Sequence, residues 1–277
     1  MRRFESVYLS LVKKVRDSKS RNAVVTGAAG LLGIEHCKAL LDLNFEITMV
    51  DSNESTMEDA ATKLRSLYPN HQISTLNLDI TNEGTVAEAF ANQDAYSCLV
   101  NNAAVNLSPG EAFSKFADLD LVQWNQELNV GLTGTMLMCK YIGSKMAQAG
   151  NGSIINVASD LSVIAPDQRI YRHIKSSSGI QYEKPISYSV VKTGLIGLTR
   201  YLASYWAEKN VRVNALSPGP VRASQDLELV ENLISLIPMR RLASSSEYKS
   251  AIQFLATEGS NYMTGQNLII DGGRTCL

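Results

Sequence analysis

The sequence predicts an α/β fold in which helices cover both faces of a parallel sheet. Short apolar runs rich in β-branched residues alternate with helical patterns along the chain, and a glycine-rich turn joins the first run to the first helix. No linker rich in proline, glycine or serine divides the chain, and 277 residues suit one large domain. We therefore predict a doubly wound sheet in a single domain, 22–277, preceded by an N-terminal extension, 1–21.

Buried strands are predicted wherever a short apolar run lies between turn residues. These runs are 22–26, 46–50, 73–78, 97–100, 153–157, 211–216 and 268–270. Helical periodicity occupies the segments between them, at 33–43, 55–67, 120–149 and 188–209. Because a helix returns the chain to the same edge of the sheet, successive strands are expected to run parallel, in right-handed βαβ units.

Composition excludes several classes of protein. The net charge is −1, so no global basic field favours nucleic-acid binding. No stretch approaches the roughly 20 apolar residues of a membrane helix, so an integral membrane protein is not expected. The cysteines, Cys37, Cys98, Cys139 and Cys276, lack the spacing of a metal site or a disulfide framework. We predict a cytoplasmic protein without a metal site.

The N-terminal extension differs from the rest of the chain in charge. Its 21 residues include seven basic and two acidic side chains, a net charge of +5. Apolar residues recur at helical spacing, which predicts an amphipathic helix packed on the body or on a neighbouring subunit. Contact with a membrane surface is the alternative. A secretory signal is not expected, because the continuous apolar stretch of such a signal is missing.

The turn after the first predicted strand has the spacing of a phosphate-binding loop. Gly27, Gly30 and Gly33 permit a tight turn and a close approach of a pyrophosphate to the helix N-terminus. Asp51 follows Gly33 by 18 residues, at the end of the next strand, where a carboxylate accepts both hydroxyls of an adenosine ribose. With no arginine or lysine beside it, this arrangement favours NAD over NADP. A structural turn with an unrelated surface aspartate is the alternative.

Tyr188 and Lys192 form a candidate catalytic pair. Residues four apart share one face of a helix, and a lysine ammonium beside a tyrosine lowers the phenol pKa. Such a tyrosine can exchange a proton with an alcohol or carbonyl oxygen. On spacing alone, a solvent-facing pair of side chains would be the better explanation of the motif.

Taken together, these motifs resemble those of the short-chain dehydrogenase/reductase family. The resemblance covers 22–273 and rests on the order of the glycine turn, Asp51, Asn101-Asn102-Ala103-Ala104, Asn129, Ser159, the Tyr188/Lys192 pair and Pro218-Gly219. It implies a Rossmann-type domain with a nicotinamide cofactor. It also implies that Tyr188 is the general acid/base, that Lys192 tunes it and holds the nicotinamide ribose, that Ser159 binds the substrate oxygen, and that Asn129 holds a proton-relay water.

The same resemblance implies a set of cofactor contacts along the carboxyl ends of the strands. The implied residues are Gly27, Gly30, Leu31, Leu32, Gly33, Asp51, Asp79, Ile80, Asn101, Ala103, Ala104, Tyr188, Lys192, Pro218, Gly219 and Val221. The family also implies a homodimer or homotetramer, formed through the predicted helices 120–149 and 188–209. Apolar residues of the second helix are consistent with this arrangement, with ordinary packing on the sheet as the alternative; they are Leu195, Ile196, Leu198 and Leu202.

The segment 160–187 is the best clue to the substrate. It separates Ser159 from Tyr188 by 29 residues, more than is usual in the family, and it resembles a subgroup that includes flagellin-modification and gluconate dehydrogenases. Arg172 and Lys175 are candidates to bind a phosphate or carboxylate, with a solvated loop or an intersubunit contact as the alternative. We therefore expect hydride transfer between the nicotinamide and a secondary alcohol or ketone of a polar, sugar-like substrate, such as a sugar, a sugar phosphate or a nucleotide-linked sugar. The alternatives are a reductase of an apolar acyl or steroid-like carbonyl and a non-catalytic regulatory protein that binds the cofactor.

Overall fold

The computed structural model describes residues 21–105, 115–176 and 179–277. The helix predicted for the N-terminal extension lies outside the described residues, except for Arg21 at its end. Within the described chain, no helix combines the length and the apolar character needed to cross a bilayer.

One seven-stranded parallel sheet forms the centre of the protein, with strand order β3-β2-β1-β4-β5-β6-β7. Its strands are β1 Asn22–Thr26, β2 Glu46–Asp51, β3 Ile73–Asn77, β4 Cys98–Asn101, β5 Gly152–Val157, β6 Val211–Pro218 and β7 Asn267–Ile270. The predicted doubly wound fold is confirmed. The strand order reverses between β1 and β4, which opens a crevice at the carboxyl ends of the strands.

Helices cover both faces of this sheet. They are α1 Leu31–Leu41, α2 Glu54–Leu67, α3 Glu83–Ala91, α4 over 121–149, α5 Ile186–Trp206, α6 Leu227–Ser235 and α7 Lys249–Ala256. Helix α4 includes two π-helical stretches, Asn129–Gly134 and Cys139–Gly143. The sequence did not predict α3, α6 and α7. Each is only eight or nine residues long, too few turns for a clear apolar period.

The core consists of two apolar layers, one on each side of the sheet. Alternate residues of β1 belong to opposite layers: Val25 packs with α1, α2 and α7, whereas Val24 packs with α3, α4 and α5. Cys98 and Leu99 of β4 divide between the layers in the same way. Because both faces of the sheet are covered, the sequences of these strands are continuous apolar runs and do not alternate between apolar and polar residues.

The apolar residues of α5 mostly pack inside the subunit. Leu195, Ile196 and Leu202 are buried, which corrects the expectation that they form a surface for a second subunit. The aromatic surface of α5 consists instead of Tyr201 and Tyr205, which are about two-thirds exposed and stack at 5.9 Å between ring centroids.

His36 of α1 makes stability depend on pH. Its side chain is fully buried, and neither ring nitrogen has a hydrogen-bond partner within the described chain. Burial lowers the pKa of His36 from 6.5 to about 3. Below pH 6.5, His36 therefore binds a proton in the unfolded chain but not in the folded protein. At pH 5 this difference lowers the free energy of unfolding by about 2 kcal/mol.

Urea denaturation between pH 5 and pH 8 measures this effect. We expect the free energy of unfolding of His36→Leu to fall less toward acidic pH than that of the parent. His71→Leu, at a residue outside the core, should show the same fall as the parent. Equal slopes for the parent and His36→Leu would contradict the assignment.

Candidate active site

The glycine turn between β1 and α1 is packed so tightly against neighbouring backbone that two of its glycines have no room for a side chain. Gly27 has a φ of 59°, and a Cβ at this residue would lie 2.8 Å from the Cα of Ala103. A Cβ at Gly33 would lie 2.1 Å from the carbonyl oxygen of Gly27. Helix α1 starts at Leu31 with no side-chain cap from Gly30, so its first N–H groups remain available to an anion. The turn therefore fits a pyrophosphate.

Asp51 lies beside this turn at the end of β2. Its carboxylate accepts the N–H of Ala29 at 3.2 Å and the N–H of Asn53 at 3.2 Å. These bonds fix the carboxylate next to the glycines and leave further acceptor positions for hydroxyl groups. The geometry fits the ribose role inferred from the sequence.

The loop after β4 closes the other side of the turn. Thr26 accepts the N–H groups of Asn102 and Ala103, both at 3.1 Å, and the side chain of Asn102 donates to the Gly27 carbonyl at 2.9 Å. Asn102 thus shapes the turn, although it was not among the predicted site residues. Ala104, the next cofactor candidate, is exposed at the crevice.

Asn101 lies beneath the cofactor crevice instead of in it. Its side chain is buried and donates to the Asn156 side chain at 2.9 Å, and Asn156 donates to Thr199 of α5 at 2.9 Å. The Asn101 side chain therefore links β4 to β5 and α5, while the backbone of Asn101 leads into the loop after β4.

The remaining cofactor candidates follow β3 and β6. Asp79 is exposed and accepts two hydrogen bonds from Thr81, while Ile80 is buried. Pro218 ends β6, and the N–H of Gly219 donates to Ile270 at 2.9 Å. The next cofactor candidate is half-buried Val221. All of these positions lie at the carboxyl edge of the sheet, where ligands of such folds bind.

Ser159, Tyr188 and Lys192 come together at the same edge. Ser159 follows β5 and forms a hydrogen bond with Tyr188 in the first turn of α5. Lys192, one turn further along α5, donates to the Val157 carbonyl at 2.8 Å, and its Nζ lies 5.7 Å from the centroid of the Tyr188 ring. This arrangement brings the Ser159 hydroxyl, the Tyr188 phenol and the Lys192 ammonium close together.

The electrostatics of this group differ from the sequence-based expectation. The pKa of Tyr188 is raised above its ordinary value, because burial outweighs the hydrogen bond with Ser159 and the nearby Asp160 adds to the rise. Burial, with a contribution from Lys184, lowers the pKa of Lys192 to about 8. The expected lowering of the Tyr188 pKa by Lys192 is therefore not found, because desolvation of the phenolate dominates.

A buried ion pair supports Ser159, the candidate for binding the substrate oxygen. Ser159 donates to Asp160 at 2.9 Å, and Asp160 accepts from Arg274 at 2.6 Å. Both charged side chains are nearly inaccessible, at 4% and 6% exposure. Arg274 lies near the C-terminus, so the end of the chain holds the turn that presents Ser159. No sequence pattern indicated this pair, whose members are 114 residues apart.

The structure does not bring Asn129 to the catalytic group. Asn129 is exposed, whereas Glu127 and Gly131, two residues to either side, are buried. Residues two apart on a helix lie on different faces, while residues four apart share one. Glu127 and Gly131 line a small cavity together with Tyr188 and Lys192. The sequence analysis did not single out Glu127, although it lies one helical turn before Gly131 and therefore on the same face of the helix.

The basic residues proposed to bind substrate are on the surface of 160–187. Arg172 and Lys175 are both exposed, and neither is among the residues that line the catalytic cavity. A different cation of this segment, Lys184, lies beside Tyr188. Its Nζ is 4.1 Å from the centroid of the Tyr188 ring. Burial lowers the pKa of Lys184 to about 8.

Comparison with known proteins agrees with this geometry. A family model described as enoyl-(acyl carrier protein) reductase matches residues 27–275. D-threitol dehydrogenase of Mycolicibacterium smegmatis is 32% identical over 261 residues, which are 91% of this chain and 92% of that protein. NAD-dependent glycerol dehydrogenase of Listeria innocua is 30% identical over 262 residues, 91% of this chain and 93% of the relative.

Solved structures show the same fold. A short-chain dehydrogenase from Leptospira borgpetersenii with bound NAD⁺ is 29% identical, covers 93% of both chains and superposes with a TM-score of 0.80. A gluconate 5-dehydrogenase from Burkholderia cenocepacia, in complex with NADP and tartrate, is 23% identical with a TM-score of 0.80 over 93% of this chain and 96% of that one. The chain belongs to the short-chain dehydrogenase/reductase family and is an oxidoreductase with a nicotinamide cofactor.

Proposed function

We propose that the protein oxidises a secondary alcohol of a polyol or sugar derivative to a ketone, with NAD as the cofactor. The observation that carries this proposal is the meeting of Ser159, Tyr188 and Lys192 beside the glycine turn. Buried or half-buried charged groups around Tyr188, namely Glu127, Asp160 and Lys184, support a polar substrate. Relatives named as dehydrogenases of threitol, glycerol and galactitol support the same class.

The chemistry requires the alcohol to lose one hydride and one proton. The bound nicotinamide supplies the hydride acceptor. Ser159 holds the substrate oxygen, and Tyr188, in its phenolate form, takes the hydroxyl proton as the carbonyl forms. The Lys192 ammonium, fixed by the Val157 carbonyl, stabilises that phenolate. An oxidised nicotinamide, being positively charged, would favour the phenolate form of Tyr188 when bound.

A panel assay tests the substrate class. The protein is mixed with NAD⁺ or NADP⁺ and with polyols, sugar acids, sugar phosphates, nucleotide sugars and apolar alcohols, and formation of the reduced cofactor is followed. We expect turnover of a polyol or sugar derivative with NAD⁺. Turnover of apolar alcohols alone would favour the acyl or steroid-like alternative, and silence with preserved NAD⁺ binding would favour the regulatory one.

Asp51 is expected to determine the cofactor preference within the same assay. Asp51→Ala removes an anionic acceptor of the ribose hydroxyls, so kcat/KM for NAD⁺ should fall about 10-fold to 100-fold. Its discrimination against NADP⁺ should shrink as well, since the repulsion of a 2′-phosphate is lost. Asp59→Ala, at an exposed position of α2, is the matched control. A parent enzyme that prefers NADP⁺ would show that Asp51 does not play this role.

A dimer or tetramer remains our prediction for the assembly. The exposed, stacked pair Tyr201 and Tyr205 on α5 offers an apolar surface for it. Sedimentation of the parent and of Tyr205→Glu measures whether this surface is used.

A further inference from the structure

A small cavity adjoins the catalytic group on its α4 side. Glu127 and Gly131 of α4 line it opposite Tyr188 and Lys192 of α5. Its free volume is ≈ 10 Å³, about the room that one water molecule needs. Among the lining residues, only Glu127, Tyr188 and Lys192 carry side chains that exchange protons. The cavity is thus a meeting point for one carboxylate and the two groups that handle the substrate proton.

The positions of the residues on α4 explain why the Glu127 carboxylate, and not the Asn129 amide, lines this cavity. Gly131 occupies the position closest to Val191, and a Cβ at Gly131 would lie 2.4 Å from the Cγ1 of Val191. No side chain fits at this position unless Val191 moves. Glu127, one helical turn earlier, lines the same cavity, whereas Asn129 is exposed and is not among its lining residues.

Two hydrogen bonds hold the Glu127 carboxylate in place. Ser187 donates to one of its oxygens at 2.7 Å, and Gln123 donates to the other at 3.2 Å. A glutamine at this position would still accept the Ser187 bond, so tethering α4 to α5 does not require a charge. Keeping a carboxylate buried costs desolvation energy, which favours a role that needs the charge or the proton.

On the basis of the proposed function, we propose that Glu127 is the proton relay of this enzyme, in place of the asparagine that the family resemblance implies. The Lys192 ammonium gives a proton to a water in the cavity, the water gives one of its own to Glu127, and Glu127 passes it to solvent on the Gln123 side. The neutral Lys192 amine then accepts the proton that Tyr188 has taken from the substrate alcohol, which restores the Tyr188 phenolate and the Lys192 ammonium. Each turnover then delivers one proton to solvent, and every relay group returns to its starting state.

Glu127→Gln tests the relay, because it keeps the shape and the Ser187 bond but cannot carry the proton. We expect kcat for alcohol oxidation to fall about 10-fold to 100-fold, with KM for the alcohol and for NAD⁺ within about twofold. Small buffer bases such as imidazole should restore part of kcat in proportion to their concentration, since they replace the missing carrier. A loss of kcat that no buffer base restores would overturn the proposal.

Ser187→Ala separates the relay from a purely structural tether. This variant removes the tether and keeps the carboxylate, so we expect a much smaller loss of kcat than for Glu127→Gln. An equal loss in both variants would show that Glu127 acts only by holding α5. A rescue variant combines Glu127→Gln with Gly131→Asn and Val191→Ala, which makes room for an amide in the cavity. Partial recovery of kcat is expected, and no recovery from a folded variant that binds NAD⁺ would contradict the proposal.

A measurement without substrate distinguishes failure of the relay from failure of the proposed function. The positive nicotinamide favours deprotonation of the nearby phenol, so NAD⁺ binding should release a proton. Stopped-flow mixing with NAD⁺ and a pH indicator follows this release, while tryptophan fluorescence follows binding. We expect Glu127→Gln to slow proton release but not binding, whichever alcohol is the substrate. Unchanged release kinetics would overturn the relay even if polyols are oxidised.

Discussion

Tyr188→Phe is expected to lower kcat by about 10²-fold to 10⁴-fold, the range for loss of a positioned general acid or base. Phenylalanine keeps the ring and its packing at the start of α5 but removes the oxygen that exchanges the substrate proton. Ser159 and Lys192 cannot substitute for it, because Ser159 already donates to Asp160 and Lys192 to the Val157 carbonyl. The measurement is the rate of NADH formation with the substrate identified in the panel.

The control for this experiment is Tyr201→Phe, on the same helix. Tyr201 is 66% exposed and far along α5 from the catalytic turn, so its hydroxyl should not affect kcat. NAD⁺ binding should be retained in both variants, since neither change alters the glycine turn. Near-parental kcat in Tyr188→Phe would refute the proposed mechanism, whatever the substrate.

Arg274→Met is expected to give the largest loss of stability among single substitutions near the site. It leaves the Asp160 carboxylate buried at 4% exposure without its cation. Removing one member of a buried ion pair typically lowers the free energy of unfolding by about 3–5 kcal/mol. Urea denaturation of the parent and the variant at pH 7 measures the difference. Because Asp160 also accepts the Ser159 hydroxyl, kcat should fall as well.

Two further variants check that the effect comes from the buried charge. Arg169→Met breaks a contact of similar length, 2.7 Å to Asp167, but at a side chain that is 73% exposed. Its effect on stability should be far smaller, because water screens exposed pairs. The double variant Asp160→Asn/Arg274→Met removes both charges and should recover much of the stability lost in Arg274→Met. A loss as large in Arg169→Met would show that burial is not the cause.

Local patterns were enough to predict the sheet and most of the cofactor crevice. Each of the predicted strands is present, because a fully buried parallel strand leaves a continuous apolar run in the sequence. The glycine turn, Asp51 and the Tyr188/Lys192 pair were recognisable because their roles depend on spacings of a few residues. The short helices α3, α6 and α7 were missed, since their positions depend on packing against the sheet.

Within the catalytic group, the prediction failed where side-chain direction or distant contacts decide the outcome. Asn129 and Glu127 are two residues apart, and the helix face determines that Glu127, not Asn129, lines the cavity beside Lys192. The pKa of Tyr188 is governed by burial rather than by the neighbouring lysine. Arg172 and Lys175 are exposed, and their role in binding an anion stays a prediction.

The sequence by itself determined the fold, the family and the residues proposed to carry the reaction, because each of these depends on local periodicity and spacing. The tertiary structure alone decided which groups support those residues. Glu127 and the Asp160–Arg274 pair act across elements that are distant in sequence, and only the close packing of α4, α5 and the C-terminal turn against the sheet brings them to the catalytic group. Burial then sets their electrostatics, since desolvation strengthens each contact and depends on the whole fold.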